Sequence, residues 1–126
     1  MAIPATAIEQ PLEWVQGSTF EYGWIFKDIN NTNWSYTGYT AKIDIRKKIG
    51  GALVTSLSST TGEITFPGSG ELHVKIPASV GVAYVFTGDS VEYYWDLELT
   101  NTTTTPNTIL KPFLPSTFTV YKEVTL

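Results

Sequence analysis

Apolar and polar residues alternate with a period of two along most of this chain, and hardly anywhere with the 3.6-residue period of a helix. Over residues 20–28, Phe20, Tyr22, Trp24 and Phe26 fall on one side and Glu21, Gly23, Ile25 and Lys27 on the other. That pattern predicts a strand with one aromatic face. Residues 39–47 set Ala41, Ile43 and Ile45 against Lys42, Asp44 and Arg46, a second strand with a clean inside and outside. After the break at Gly50-Gly51, residues 52–57 read as a short strand, and Ile64 with Phe66 as another. The tight turn Pro67-Gly68-Ser69-Gly70 follows. Leu72, Val74 and Ile76 then alternate with Glu71, His73 and Lys75, and Tyr93, Trp95, Leu97 and Leu99 alternate with Tyr94, Asp96 and Glu98. A polar loop over 101–107 leads into the run 108–114, and a closing strand is predicted over 117–124. Only residues 77–86, with Pro77 near the start, suit one or two helical turns.

These elements amount to about eight or nine short strands spaced by roughly 8–12 residues, the signature of a β-sandwich or barrel. No repeat of fixed period is present, which argues against propellers and solenoids. The first eleven residues break the pattern. Ile3, Ile8 and Leu12 follow neither period, and Pro4 and Pro11 each lack a backbone donor. The chain therefore divides into an extended arm over 1–11 and a β-sandwich domain over 12–126.

Composition narrows the function. A length of 126 residues suits one domain. Aromatic residues make up 13% and Thr is frequent, both favourable on a pleated, half-buried surface. The absence of Cys excludes a disulfide scaffold, thiolate metal sites and a Cys nucleophile. A net charge of −4 with only eight Lys and Arg argues against nucleic-acid binding. No apolar run approaches the roughly 18 residues of a membrane span. The opening MAIPATAIEQPLEW lacks a basic region and a continuous apolar stretch, so no signal peptide is expected.

Candidate chemistry is sparse. His73, the one histidine, lies between Leu72 and Val74 in an alternating strand and is expected to face solvent. Asp96 and Glu98 share a strand face, a spacing permissive for a glycosidase pair, but a polar outer face produces the same spacing. Asp28-x-Asn30-x-Thr32 begins like a calcium loop, yet Asn33 and Tyr39 stand where Gly and Glu are needed. A turn that satisfies its own backbone through Asp and Asn side chains is the better reading. Gly68-Ser69-Gly70 precedes a strand rather than a helix, so it is no phosphate cradle. No enzyme, cofactor or metal site is expected. The aromatic residues remain: Trp34 and Tyr36 in a loop, with Tyr94 and Tyr121 on outward faces, are expected to be exposed as a protein interface or a sugar platform.

Four stretches carry a resemblance: GYTAKIDIRKKIGGALV (38–54), GSGELHVKIPASV (68–80), YYWDLELT (93–100) and TILKPFLPSTFTVYKEVT (108–125). Taken in order they resemble small virion proteins of tailed bacteriophages, including the N-terminal domain of some upper-baseplate proteins. Pro115-Ser116 departs from the pattern, where a Gly turn is expected. The resemblance implies an all-β, immunoglobulin-like antiparallel sandwich and a non-enzymatic role in the virion, assembled in the host cytoplasm. The implied role is a tail, baseplate or fibre adaptor, or else a capsid decoration protein. Its partners would be other virion proteins (capsid, tail or fibre subunits) in a multi-copy assembly, with neither nucleic acid nor membrane involved. The residues expected to dock on them are Ile3, Ile8, Trp34, Tyr36 and Tyr94. The alternative is a carbohydrate-binding sandwich in which Trp34, Tyr36 or Tyr94 stacks on sugars.

Overall fold

The structure, a computed structural model, describes residues 9–81 and 88–122. The described residues form nine strands and one short helix. They are β1 (Leu12–Val15), β2 (Phe20–Ile25), β3 (Tyr39–Arg46), β4 (Leu53–Ser58), β5 (Ile64–Thr65), β6 (Glu71–Ile76), α1 (Ala78–Gly81), β7 (Ser90–Asn101), β8 (Thr108–Leu110) and β9 (Ser116–Tyr121). One sheet runs β1-β9-β7-β3-β4, with β8 attached to β7, and the other runs β2-β6-β5. The β1–β9 pairing is parallel and the rest are antiparallel. Lettered by chain order, the second to seventh strands and the last give B-E-D in one sheet and G-F-C-C′ in the other. That topology is the immunoglobulin-like β-sandwich.

The period-two pattern explains how the layers meet. In the β3–β7 ladder, Ala41↔Leu99, Ile43↔Leu97 and Ile45↔Trp95 point inward, while Lys42↔Glu98, Asp44↔Asp96 and Arg46↔Tyr94 point outward. The facing sheet contributes Phe20, Leu72, Val74 and Ile76 to the same core. Burying each such side chain stabilises the fold by about 1.5–3 kcal/mol. An aromatic seam crosses between the layers, with Trp24 of β2 stacked on Trp95 of β7 and Phe113 against both. The Trp95 indole N–H donates to Gln10 O at 3.0 Å, and Gln10 N donates to Ser116 Oγ at 2.8 Å. These two bonds tie the chain down just ahead of β1.

Several expectations are corrected. Residues 12–15 form a strand that period-two reading passes over, because four residues are too few to establish alternation. The run 108–114 is a strand only over Thr108–Leu110, since Pro112 and Pro115 remove ladder donors beyond it. His73 is on the outer side of β6 yet half-buried, because it pairs with Gly23 and the imidazole lies over that side-chainless position. Tyr22 belongs to the inward row of β2 but is exposed, and Trp24 is half-buried, because among the described residues β2 ends its sheet. Ile3 and Ile8 of the expected arm lie outside the described residues, as do 82–86 of the expected helical segment and 123–124 of the closing strand.

Candidate interaction surface

The loop after β2 contradicts the expected exposure of Trp34 and Tyr36. Asp28 Oδ1 accepts the backbone N–H of Asn30 at 2.9 Å and of Thr32 at 3.0 Å, so the loop closes on its own carboxylate as the turn reading predicts. The returning chain donates Trp34 N–H to Phe26 O, which directs the following aromatics into the core. Trp34 is 4% exposed and packs edge-on against Tyr36 and Tyr39. Tyr36 is 9% exposed, stacks on Phe66 at 4.5 Å and donates its hydroxyl to Gly70 O at 2.9 Å. Burial pushes its phenol well above the usual tyrosine range. Neither side chain is placed to dock a partner or stack on a sugar.

Tyr94 keeps an outward place. It is half-buried on β7, opposite Arg46, and its hydroxyl donates to Glu92 Oε1 at 3.3 Å. Tyr121 is exposed at the far side of the sheet and donates to Glu13 Oε1 at 3.2 Å. The Glu13 charge and that hydrogen bond both push the Tyr121 phenol up.

Around Tyr94 the outer face of β3 and β7 floors a groove of about 550 Å³, walled by Ile49 and Gly50 on one side and Pro115 on another. Asp44 and Asp96 are register partners on adjacent strands, a like-charge pair that costs stability unless cations intervene. They do intervene. Asp44 faces Arg46 at 3.4 Å and Lys42 at 3.8 Å and accepts from Ser56 Oγ at 2.8 Å. Lys111 bridges Asp96 at 3.3 Å and Glu98 at 3.8 Å. Arg46 is also held by Gly51 O at 3.0 Å. Asp96 and Glu98, the carboxylates weighed for hydrolysis, thus share one ammonium in a surface salt bridge. The alternating Lys-Asp-Arg and Tyr-Asp-Glu rows are legible as outward faces. The pairing that sets them side by side, and the arrival of Lys111, depend on tertiary structure.

A second surface is the edge of β2, which among the described residues pairs only with β6. Phe26 N–H donates to Gly70 O on the β6 side, and Lys75 N–H, opposite Glu21, donates away to Glu63 O. By strand alternation, the backbone groups of Glu21, Gly23 and Ile25 therefore point off the open edge. Ile25, 61% exposed, and Tyr22 flank that edge. Gln10 Nε2 reaches the Tyr22 hydroxyl at 3.4 Å, so the chain enters the sandwich beside β2. The described residues hold no cluster of three or more His, Cys, Asp or Glu arranged for a metal ion.

No family model matches the chain, and no curated protein does. Among solved structures it is similar to extracellular domains 3–5 of Drosophila OTK, with 11% identity and a TM-score of 0.38. That alignment covers 98% of this chain and 36% of the other, so the chain spans about a third of that neighbour's length.

Proposed function

We propose that this chain is a non-enzymatic structural subunit that works through protein–protein contacts. We place it in the virion of a tailed bacteriophage, as a tail, baseplate or fibre adaptor or else a capsid decoration protein. The phage setting rests on the resemblance of residues 38–54, 68–80, 93–100 and 108–125. The contact mechanism rests on one observation: among the described residues β2 pairs on one edge only, with exposed Tyr22 and Ile25 beside the other. An extended segment of a neighbouring subunit adds to such an edge through backbone hydrogen bonds, while flanking side chains set its register. An unpaired strand edge is otherwise an aggregation hazard, which favours an occupant in the working assembly.

The test uses two variants in particle assembly. Deleting residues 1–8, which include Ile3 and Ile8 but spare the Gln10 bonds, leaves the Tm of the free protein nearly unchanged and abolishes incorporation. Ile25→Lys, which charges the edge, does the same. Normal incorporation of both variants, or a large fall in Tm on deletion, overturns the reading.

A further inference from the structure

We infer, resting on the adaptor reading, that the strand added to β2 is residues 1–8 of a second copy of this chain. Pro4 fixes the phase of such a strand, because it lacks an N–H and must point its backbone away from the ladder. The alternate residues Ile3, Ala5 and Ala7 then face β2. They match in number Glu21, Gly23 and Ile25, whose backbone groups point off the edge that is unpaired among the described residues. Run antiparallel, Ile3 pairs with Ile25, Ala5 with Gly23 and Ala7 with Glu21. Ile3 covers Ile25, an exposed apolar side chain. Ala5 is small enough to stand beside Gly23, where the His73 ring already lies. Ala7 leaves room for the ion pair of Glu21 with Lys75 at 3.6 Å. On the inner face, Pro4 and Thr6 fall opposite Trp24 and Tyr22, the two inward-row aromatics left partly uncovered. A register shifted by one pair would set Glu9 against Glu21, like charges directly opposite.

The same copy is badly placed to supply this strand. Trp14 packs on Phe20, and four residues upstream Gln10 N donates to Ser116 Oγ. Ser116 is the register partner of Trp95, which stacks on Trp24. β1 therefore runs against β2, with Gln10 fixed level with Trp24. Residue 7 of that copy would have to stand beside Glu21, three positions back along β2. The chain would reverse direction twice around residues 7–10, where Ala7, Ile8, Glu9 and Gln10 include no turn former. A neighbouring copy is under no such constraint, since eight extended residues span about 26 Å. Donor segment and acceptor edge are different parts of one chain. The contact is accordingly head-to-tail and runs on into a ring or a filament.

The experiment titrates a peptide of residues 1–9 into the ¹⁵N-labelled full chain, at a dilution where the chain is monomeric. Saturable shifts below about 1 mM peptide should centre on the amides of Glu21, Gly23 and Ile25. Ala5→Pro in the peptide removes a ladder donor and should weaken binding about tenfold or more, whereas Pro4→Ala should stay within about twofold. Between whole chains, the variant lacking residues 1–8 should pair with Ile25→Lys, since one keeps the edge and the other the donor, and neither should pair with itself. Absence of shifts at the edge overturns the inference, as does equal binding of the Ala5→Pro peptide. So does movement of the same three amides on deletion alone at dilution, which would place the segment on its own β2. Loss of incorporation without pairing between copies would overturn it while sparing the adaptor reading, and would give the edge to a different protein. Pairing with normal incorporation would sustain the contact and sink the adaptor reading.

Discussion

Trp24 and Trp95 stack face to face from opposite sheets, with ring centroids 5.5 Å apart and planes within 20° of parallel. They come from β2 and β7, the strands that a disulfide joins in antibody domains. In this cysteine-free chain two indoles provide contact between those layers. Their environments differ: the Trp95 N–H donates to Gln10 O, whereas the buried Trp24 Nε1 has no hydrogen-bond partner.

Trp95→Ala should therefore destabilise the domain by about 3–5 kcal/mol in urea unfolding, the usual cost of emptying a large aromatic site. Trp24→Ala should cost less, because that ring is half-buried and its polar atom is unsatisfied. A double-mutant cycle should return a coupling of about 0.5–1.5 kcal/mol for the stacked pair. Glu98→Ala, on the outer face of the same strand, should cost less than about 1 kcal/mol.

Gly70 offers a sharper backbone test. Its φ is +72°, and an added Cβ would lie 2.8 Å from Phe26 O, a carbonyl that itself accepts Trp34 N–H. Gly70→Ala should cost about 1–3 kcal/mol or more by denaturant unfolding. Gly62, at φ +95° but with open space around it, isolates the conformational part, and its Ala variant should be milder.

Alkaline pH should loosen the fold through Tyr36. Burial disfavours the phenolate, so the folded-state pKa stands above the unfolded value near about 10. The contribution is complete below that unfolded value and is lost as pH rises above it. Burial of Tyr93 acts in the same direction. Tyr36→Phe should lose about 0.5–1.5 kcal/mol at neutral pH with its bond to Gly70 O. Its Tm should then fall less steeply than the parent's above pH about 10.

Lys111 holds together the carboxylates of β7. Lys111→Met should destabilise by less than about 1 kcal/mol, as befits an exposed ion pair. The loss should grow at low ionic strength, where the Asp44–Asp96 juxtaposition is least screened. Equal losses at low and high salt would show that packing of the lysine stem, rather than its charge, matters there.

Sequence pattern revealed more of the sandwich than of its surfaces. Inward rows such as Ala41-Ile43-Ile45 and Leu72-Val74-Ile76 are visible because burial on one face forces strict alternation. The loop aromatics misled because turn residues surround them. Trp34 and Tyr36 are nevertheless two residues apart, a strand-like spacing that placed both on the core once Asp28 closed the loop. The charged groove needed strand order: Asp44 and Asp96 are far apart in sequence and become neighbours only through β3–β7 pairing. The short β1 depends on β9 for its existence, and local pattern carries no record of that partner.

That β1–β9 pairing has a mechanical consequence. The two strands run in the same direction, with Leu12 beside Phe118 and Val15 beside Tyr121, and Gln16 N–H closes the ladder on Tyr121 O. The chain thus enters at one end of this ladder and leaves β9 at the other. Tension applied between those points pulls the strands lengthwise past each other, so the bonds share the load and yield together. A pull across the ladder would break them one at a time. Along this axis the first and last strands of the described residues therefore resist extension in shear.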